Sequence, residues 1–187
     1  MALTESKLMP LGTLAADFSL PDTRTDQQLS LSDLKGELAT VILFICNHCP
    51  YVKHIKSGIA RLAEDYQSKG VSMVAISSND VAQYPEDGPE KMKETANRWN
   101  FSFPYLYDES QEVAKAYDAA CTPDIYVFDA DLNLAYHGLF DGSRPGNNNP
   151  VTGGDVRAAL DSLIAGVAVN KDQTPSVGCN IKWKQNS

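Results

Sequence analysis

Two of the four cysteines in this chain share the segment Phe44-Ile45-Cys46-Asn47-His48-Cys49-Pro50-Tyr51-Val52. Cys49 follows a β-branched apolar run and stands directly before a proline. Proline suits the first position of a helix, because its missing N–H would have been unpaired there. Cys49 therefore falls at or near an N-cap, where free backbone N–H groups and the positive end of the helix dipole point at its sulfur. Both favour the thiolate, which is the nucleophile. His48 could add positive charge from next door. Cys46 lies three residues upstream, so the pair is also a C-x-x-C beside a strand–helix–strand pattern, which is a redox signal. The plainer reading of Cys46, at the end of a buried strand, is a small core residue.

The other reactive groups are more scattered. Cys121-Thr122-Pro123-Asp124 stands at the entrance of a strand, where proline is either a rigid start or a cis proline. Cys179 lies in a tail without periodicity. Cys46, His48, Cys49 and His54 are all possible zinc ligands, but they fall within nine residues. Structural zinc sites usually draw on two separated pairs, so no metal is expected. Asp129, Asp131 and Asn133 mimic the start of a calcium loop without its later ligands and read as a hairpin turn. Asp80, Glu86, Asp87 and Glu90 read as solvated charge ahead of a helix. Tyr105 and Tyr107 read as half-buried strand residues.

The elements that must position Cys49 are legible around it. Thr40–Ile45 is continuous and β-branched, a central strand. From Pro50, Val52, Ile55, Ile59, Leu62 and Tyr66 recur at helical steps. Val71–Ser77 is a second buried strand, giving a strand–helix–strand unit with parallel strands. Residues Asp17–Leu20 and Gln28–Leu31 form an N-terminal hairpin. Pro89–Trp99 and Ser110–Tyr117 read as helices flanking an extended Tyr105–Tyr107. Ile125–Phe128 and Leu132–His137 pair around Asp129-Ala130-Asp131. Gly142–Gly154 is a long loop, and Gly154–Val167 is a last helix with Val156, Leu160, Leu163, Ile164 and Val167 facing inward. The fold class is a mixed α/β sandwich: a central mixed sheet between helices, one domain over residues 1–187, with an irregular extended tail at 168–187.

Composition narrows the partners. The chain has 187 residues, 43% of them hydrophobic, and a net charge of −8. That suffices for one core, and the charge disfavours nucleic acid and anionic membranes. Four cysteines are too few for a disulfide scaffold. The N-terminus lacks a signal-peptide pattern and no apolar run could span a bilayer, so the expected location is cytoplasmic, where thiols stay reduced unless they are working.

Across nearly its whole length the chain resembles the thioredoxin superfamily. More narrowly, it is similar to a peroxiredoxin-like branch of the alkyl hydroperoxide reductase/thiol-specific antioxidant family. The resemblance is carried by CNHCPYVKHI from Cys46, SNDVAQYPEDGPEKM from Ser78, FPYLYDESQEVAKAY from Phe103, CTPDIYVFD from Cys121, DGSRP from Asp141 and GCNIKW from Gly178. It implies a thioredoxin-like fold, a peroxidatic-type cysteine at Cys49 and a cis-proline loop at Thr122-Pro123 facing it. There are departures. The peroxiredoxin threonine position holds Cys46, the proline position Ile42, and the arginine would fall near Pro123 and is absent. The second cysteine of a thioredoxin-type motif is replaced by Val52.

The resemblance implies an oxidoreductase without a bound cofactor that reduces hydroperoxides through a sulfenic acid at Cys49. Thiol–disulfide exchange using Cys49 with Cys46 or Cys121 is the alternative, and a non-catalytic binding or metal-binding protein the third reading. The candidates to resolve Cys49 are Cys121 and Cys46, ranked equal, followed by Cys179. The loop carrying Arg144 is expected to border the site, so Arg144 is the candidate replacement cation. Expected partners are a small hydroperoxide or disulfide and a thiol reductant such as a thioredoxin or glutathione, with the chain a monomer or homodimer.

Overall fold

Six consecutive buried residues, Ala39 to Phe44, form the strand at the centre of the molecule. A computed structural model describes residues 3–185. Along the chain run β1 (Leu3–Glu5), β2 (Ser19–Pro21), β3 (Gln28–Ser30), α1 (Leu31–Leu34), that central strand as β4 (Ala39–Phe44), α2 (Pro50–Tyr66), β5 (Val71–Ser77) and α3 (Pro89–Arg98). There follow β6 (Tyr105–Tyr107), α4 (Glu112–Ala116), β7 (Cys121–Thr122), β8 (Asp124–Asp129), β9 (Leu134–Gly138), α5 (Gly154–Ala165) and β10 (Val177–Asn180). The main sheet has the order β6-β5-β4-β8-β9. β4 pairs parallel to β5 and antiparallel to β8.

A strand buried on both faces feeds two cores with alternate residues. Val41 and Leu43 pack with Val52, Ile55 and Ile59 of α2, Met92 of α3 and Leu160 of α5. Ile42 and Phe44 point the other way, onto Tyr117, Tyr126 and Phe128. Each such fully buried side chain contributes about 1.5–3 kcal/mol by leaving water. The helical steps on α2 match this: Val52, Ile55, Ile59, Leu62 and Tyr66 are all buried. β2 and β3 form the expected hairpin, and β8 and β9 pair across a turn closed by Asp129, whose Oδ1 accepts from the N–H groups of Asp131 and Asn133.

Three expectations need correction. Val167 is 58% exposed, and Leu163 and Ile164 are only partly buried. The last helix stops at Ala165 because Gly166 takes the left-handed conformation (φ 69°) and turns the chain away. Tyr105 and Tyr107 are buried, not half-exposed; the Tyr105 hydroxyl finds a partner by donating to Asn47 Oδ1 at 3.0 Å. The tail is not irregular throughout. Its residues 177–180 form β10, which pairs antiparallel with β1 on one side and β7 on the other. No apolar alternation marks this strand, since its pairing comes from two distant segments. Gly178 is required there: a Cβ would lie 2.0 Å from the Thr122 carbonyl oxygen.

Candidate active site

Cys49 is the N-cap residue of α2, with extended backbone (φ −65°, ψ 124°) and Pro50 at the first helical position. The local sequence dictates this, since a residue before proline is pushed out of the helical region while proline itself is preset for a first turn. The sulfur is fully buried.

Neighbours from three separate segments meet it. The Thr122–Pro123 peptide bond is cis, and the Thr122 carbonyl oxygen lies 3.3 Å from Cys49 Sγ. The β7–β10 register sets Cys179 opposite Thr122, which brings Cys179 Sγ within 2.8 Å of Cys49 Sγ. Cys46, three residues upstream, is buried and its Sγ is 3.5 Å from Thr122 Oγ1.

These neighbours divide the protons unequally. Cys49 is lowered to about 5, first by hydrogen bonding from Cys46; burial opposes this, while Cys179 and Thr122 support it. The Val52 N–H in the first turn helps further without closing a cap hydrogen bond. Cys46 is raised well above the usual thiol value, chiefly because it is the donor to Cys49, then by burial and by the Asp87 carboxylate. Cys179 is raised to about 12, by burial and then by its bond to Cys49. Of the three neighbouring thiols, Cys49 is the one favoured to give up its proton first.

Cys121 does not join this group of contacts. Its thiol donates weakly to the carbonyls of Pro123 (3.7 Å) and Ser176 (4.0 Å), and burial pushes it up. The sequence ranks Cys121 and Cys46 ahead of Cys179 as partners of Cys49; the sulfur in contact with Cys49 from outside the motif is that of Cys179, not Cys121. Sheet pairing supplies this proximity, and spacing could not.

Neither expected cation points at the thiolate. Arg144 donates from Nη1 to the carbonyls of Asp141 and Ser143, both at 3.2 Å. It borders a small cleft beside Tyr51 and Pro123. His48 turns to Asp87, Nδ1 to Oδ2 at 2.6 Å, and stacks on Tyr84. That bond raises the His48 pKa. Asp87, despite burial, is lowered by His48, Asn79 and the Asn47 N–H.

Asp87 is the residue that sequence reasoning missed. Read as solvated, it is completely buried. It accepts from the N–H of Asn47 (2.8 Å), from His48 and from Asn79 Nδ2 (2.9 Å). Asn79 Oδ1 in turn accepts from the Lys182 N–H. One buried carboxylate thus holds the loop before Cys49 and, through Asn79, the tail after Cys179. The clue available was its place in Pro85-Glu86-Asp87-Gly88-Pro89, a rigid turn in which a charge is more than decoration.

The zinc quartet is not assembled, because His54 Nε2 pairs with Ser143 Oγ at 2.7 Å. Among the described residues, Cys46, His48 and Asp87 bring donor atoms within 4.8 Å of one another. No helix among the described residues is long and apolar enough to cross a membrane.

Comparison with known proteins places this site in company. The AhpC/TSA family profile matches residues 11–137. The crystal structure of an uncharacterized conserved protein from Geobacillus kaustophilus is 56% identical, with a TM-score of 0.98 over 100% of this chain and 99% of that one. That of a hypothetical protein from Sinorhizobium meliloti is 46% identical, with a TM-score of 0.95 over 98% of this chain and 100% of that one. Peroxidoxin BcpB from Mycobacterium tuberculosis shares the fold at 22% identity, with a TM-score of 0.63 over 84% of this chain and 98% of that one. No curated protein matches.

Proposed function

The chain belongs to the AhpC/TSA family, has a thioredoxin-like fold and is a thiol-dependent oxidoreductase; from that premise we propose that it is a peroxidase that reduces small hydroperoxides at Cys49. The observation that carries this reading is a low-pKa sulfur with no exposed surface, already in contact with a second thiol. A small peroxide reaches a sulfur buried this way with only local opening.

The Cys49 thiolate attacks one peroxide oxygen and the O–O bond breaks. The sulfur becomes sulfenic acid, and the departing alkoxide or hydroxide takes a proton from water. The Cys179 thiol then attacks the Cys49 sulfur, forming a disulfide and releasing water. Two equivalents of an external thiol, such as a thioredoxin or glutathione, restore both thiols and leave as a disulfide. The threonine and arginine of peroxiredoxins have no counterpart, and the thiols of Cys46 and Cys179 take over the stabilisation of the thiolate. A cytoplasmic setting, which keeps both cysteines reduced between turnovers, belongs to the same proposal.

The test is mass spectrometry after one equivalent of hydrogen peroxide. Wild type should lose two hydrogens and yield a Cys49–Cys179 linked peptide pair. Cys179→Ser should instead accumulate a Cys49 sulfenate that dimedone traps. A reduced Cys49, with another cysteine oxidised, would refute the assignment. Thiol–disulfide exchange is the second reading, favoured by the preformed Cys49–Cys179 pair. It predicts a measurable dithiol potential with little consumption of peroxide.

A further inference from the structure

On a chain with eight more acidic than basic residues, one concavity runs against the trend. A cleft of about 410 Å³ lies between α2 and α3 and is lined by Lys53, Lys56, Lys91 and Arg98, with a single carboxylate, Glu86. Lysines on helix faces are ordinarily solvated and matched by nearby acids. Here only Lys91 has such a match, to Glu94 at 2.9 Å. Among the described residues, Lys53, Lys56 and Arg98 make no ion pair. Arg98 reaches only Thr95 Oγ1, and the Lys56 ammonium lies 5.5 Å from the centre of the Trp99 ring. Trp99 itself is 8% exposed and forms a wall of the cleft.

Two helices thus aim unmatched cations into one hollow with a flat, apolar wall. Concave walls of low dielectric focus the field of such charges. His48 also lines the cleft, and its Nε2 is buried without a partner. Glu86 in the cleft and Glu94 beside Lys91 leave Lys53, Lys56 and Arg98 unmatched, which marks a place for an external counter-charge.

We propose that this cleft binds a small polyanion, a molecule carrying at least two negative charges on phosphate or carboxylate groups. The concave shape and modest volume fit a small molecule and not an extended acidic surface. The proposal stands apart from the peroxidase reading and survives its failure.

The chain has two tryptophans. Trp183 is 40% exposed in the tail, so Trp183→Phe leaves Trp99 as the sole tryptophan, excited selectively above the tyrosine band. Pyrophosphate and citrate are titrated separately into this reduced protein. At least one should change the Trp99 emission saturably, and the tighter of the two identifies phosphate or carboxylate as the group recognised. Binding should collapse between about 10 mM and about 1 M salt, as the screening length falls from about 30 to about 3 Å. Lys53→Met and Arg98→Met, both at exposed positions, should each weaken binding at least about fivefold. Lys171→Met, an exposed cation outside the cleft, should not. No saturable change up to about 10 mM of either anion, a range that reaches even feeble binding, would overturn the proposal. So would unchanged affinity in both cleft variants.

Discussion

Replacing Cys46 probes how the Cys49 thiolate is held. Hydrogen bonding from Cys46 is the largest influence lowering Cys49 to about 5. A hydrogen bond to a charged acceptor is worth about 1.5–3 kcal/mol, and one pKa unit corresponds to about 1.36 kcal/mol. Cys46→Ala should therefore raise the Cys49 pKa by about one to two units, to roughly 6.5. Cys46→Ser keeps a donor of similar size and should leave it close to the parent value. The effect on rate depends on pH. At pH 7 the thiolate fraction falls only from about 99% to about 76%, while at pH 5.5 it falls from about 76% to about 9%, about eightfold. Peroxide consumption should follow, so the alanine variant looks nearly normal at neutral pH and fails in acid. The assay is the pH dependence of Cys49 alkylation, read by mass spectrometry between pH 4 and 8. The other three thiols are raised and stay protonated across that range. An unchanged Cys49 pKa in Cys46→Ala, or an equal rise in both variants, would refute the donor account.

Gly178→Ala forces a Cβ against the Thr122 carbonyl; the strand must shift, at a cost of about 1–3 kcal/mol. Disulfide formation after peroxide should slow at least about tenfold, measured by quenched-flow alkylation. Asp87→Asn leaves His48 without its counter-charge and should cost about 3 kcal/mol in urea unfolding. The pH window has a definite sign. Asp87 is lowered, so its contribution is present above the usual 3.8 and lost as pH falls through its lowered value. His48 is raised, so its contribution is complete below the usual 6.5 and lost as pH rises through its raised value. The difference between wild type and variant should peak between these limits. Arg144→Ala should leave the Cys49 pKa unmoved in the alkylation titration, because its guanidinium is occupied by the Asp141 and Ser143 carbonyls.

What could be read from the sequence was what neighbours in sequence decide. Cys49 before Pro50 fixes an N-cap, and the spacing of Val52, Ile55 and Ile59 fixes the buried face of the same helix. The pattern around Thr40–Ile45 and Val71–Ser77 gave the parallel pair, and resemblance supplied the cis-proline loop. The site's remaining parts depend on contacts across long separations. Asp87 meets His48 across 39 positions and Cys179 meets Cys49 across 130. Nothing local distinguishes a buried, triply bonded aspartate from a solvated one, or a four-residue strand from a coil.

The contact between Cys49 and Cys179 has a consequence for the whole chain. A bond between them would close a loop of about 130 residues. Loop-closure entropy removed from the unfolded ensemble is then about 5 kcal/mol, comparable with the entire stability of many domains. The oxidised chain would also carry the pairing of β10 with β1, tethering both strands to the head of α2. Resistance to unfolding and to proteolysis would then record the oxidation state. A melting curve taken before and after peroxide becomes a redox measurement that needs no thiol reagent.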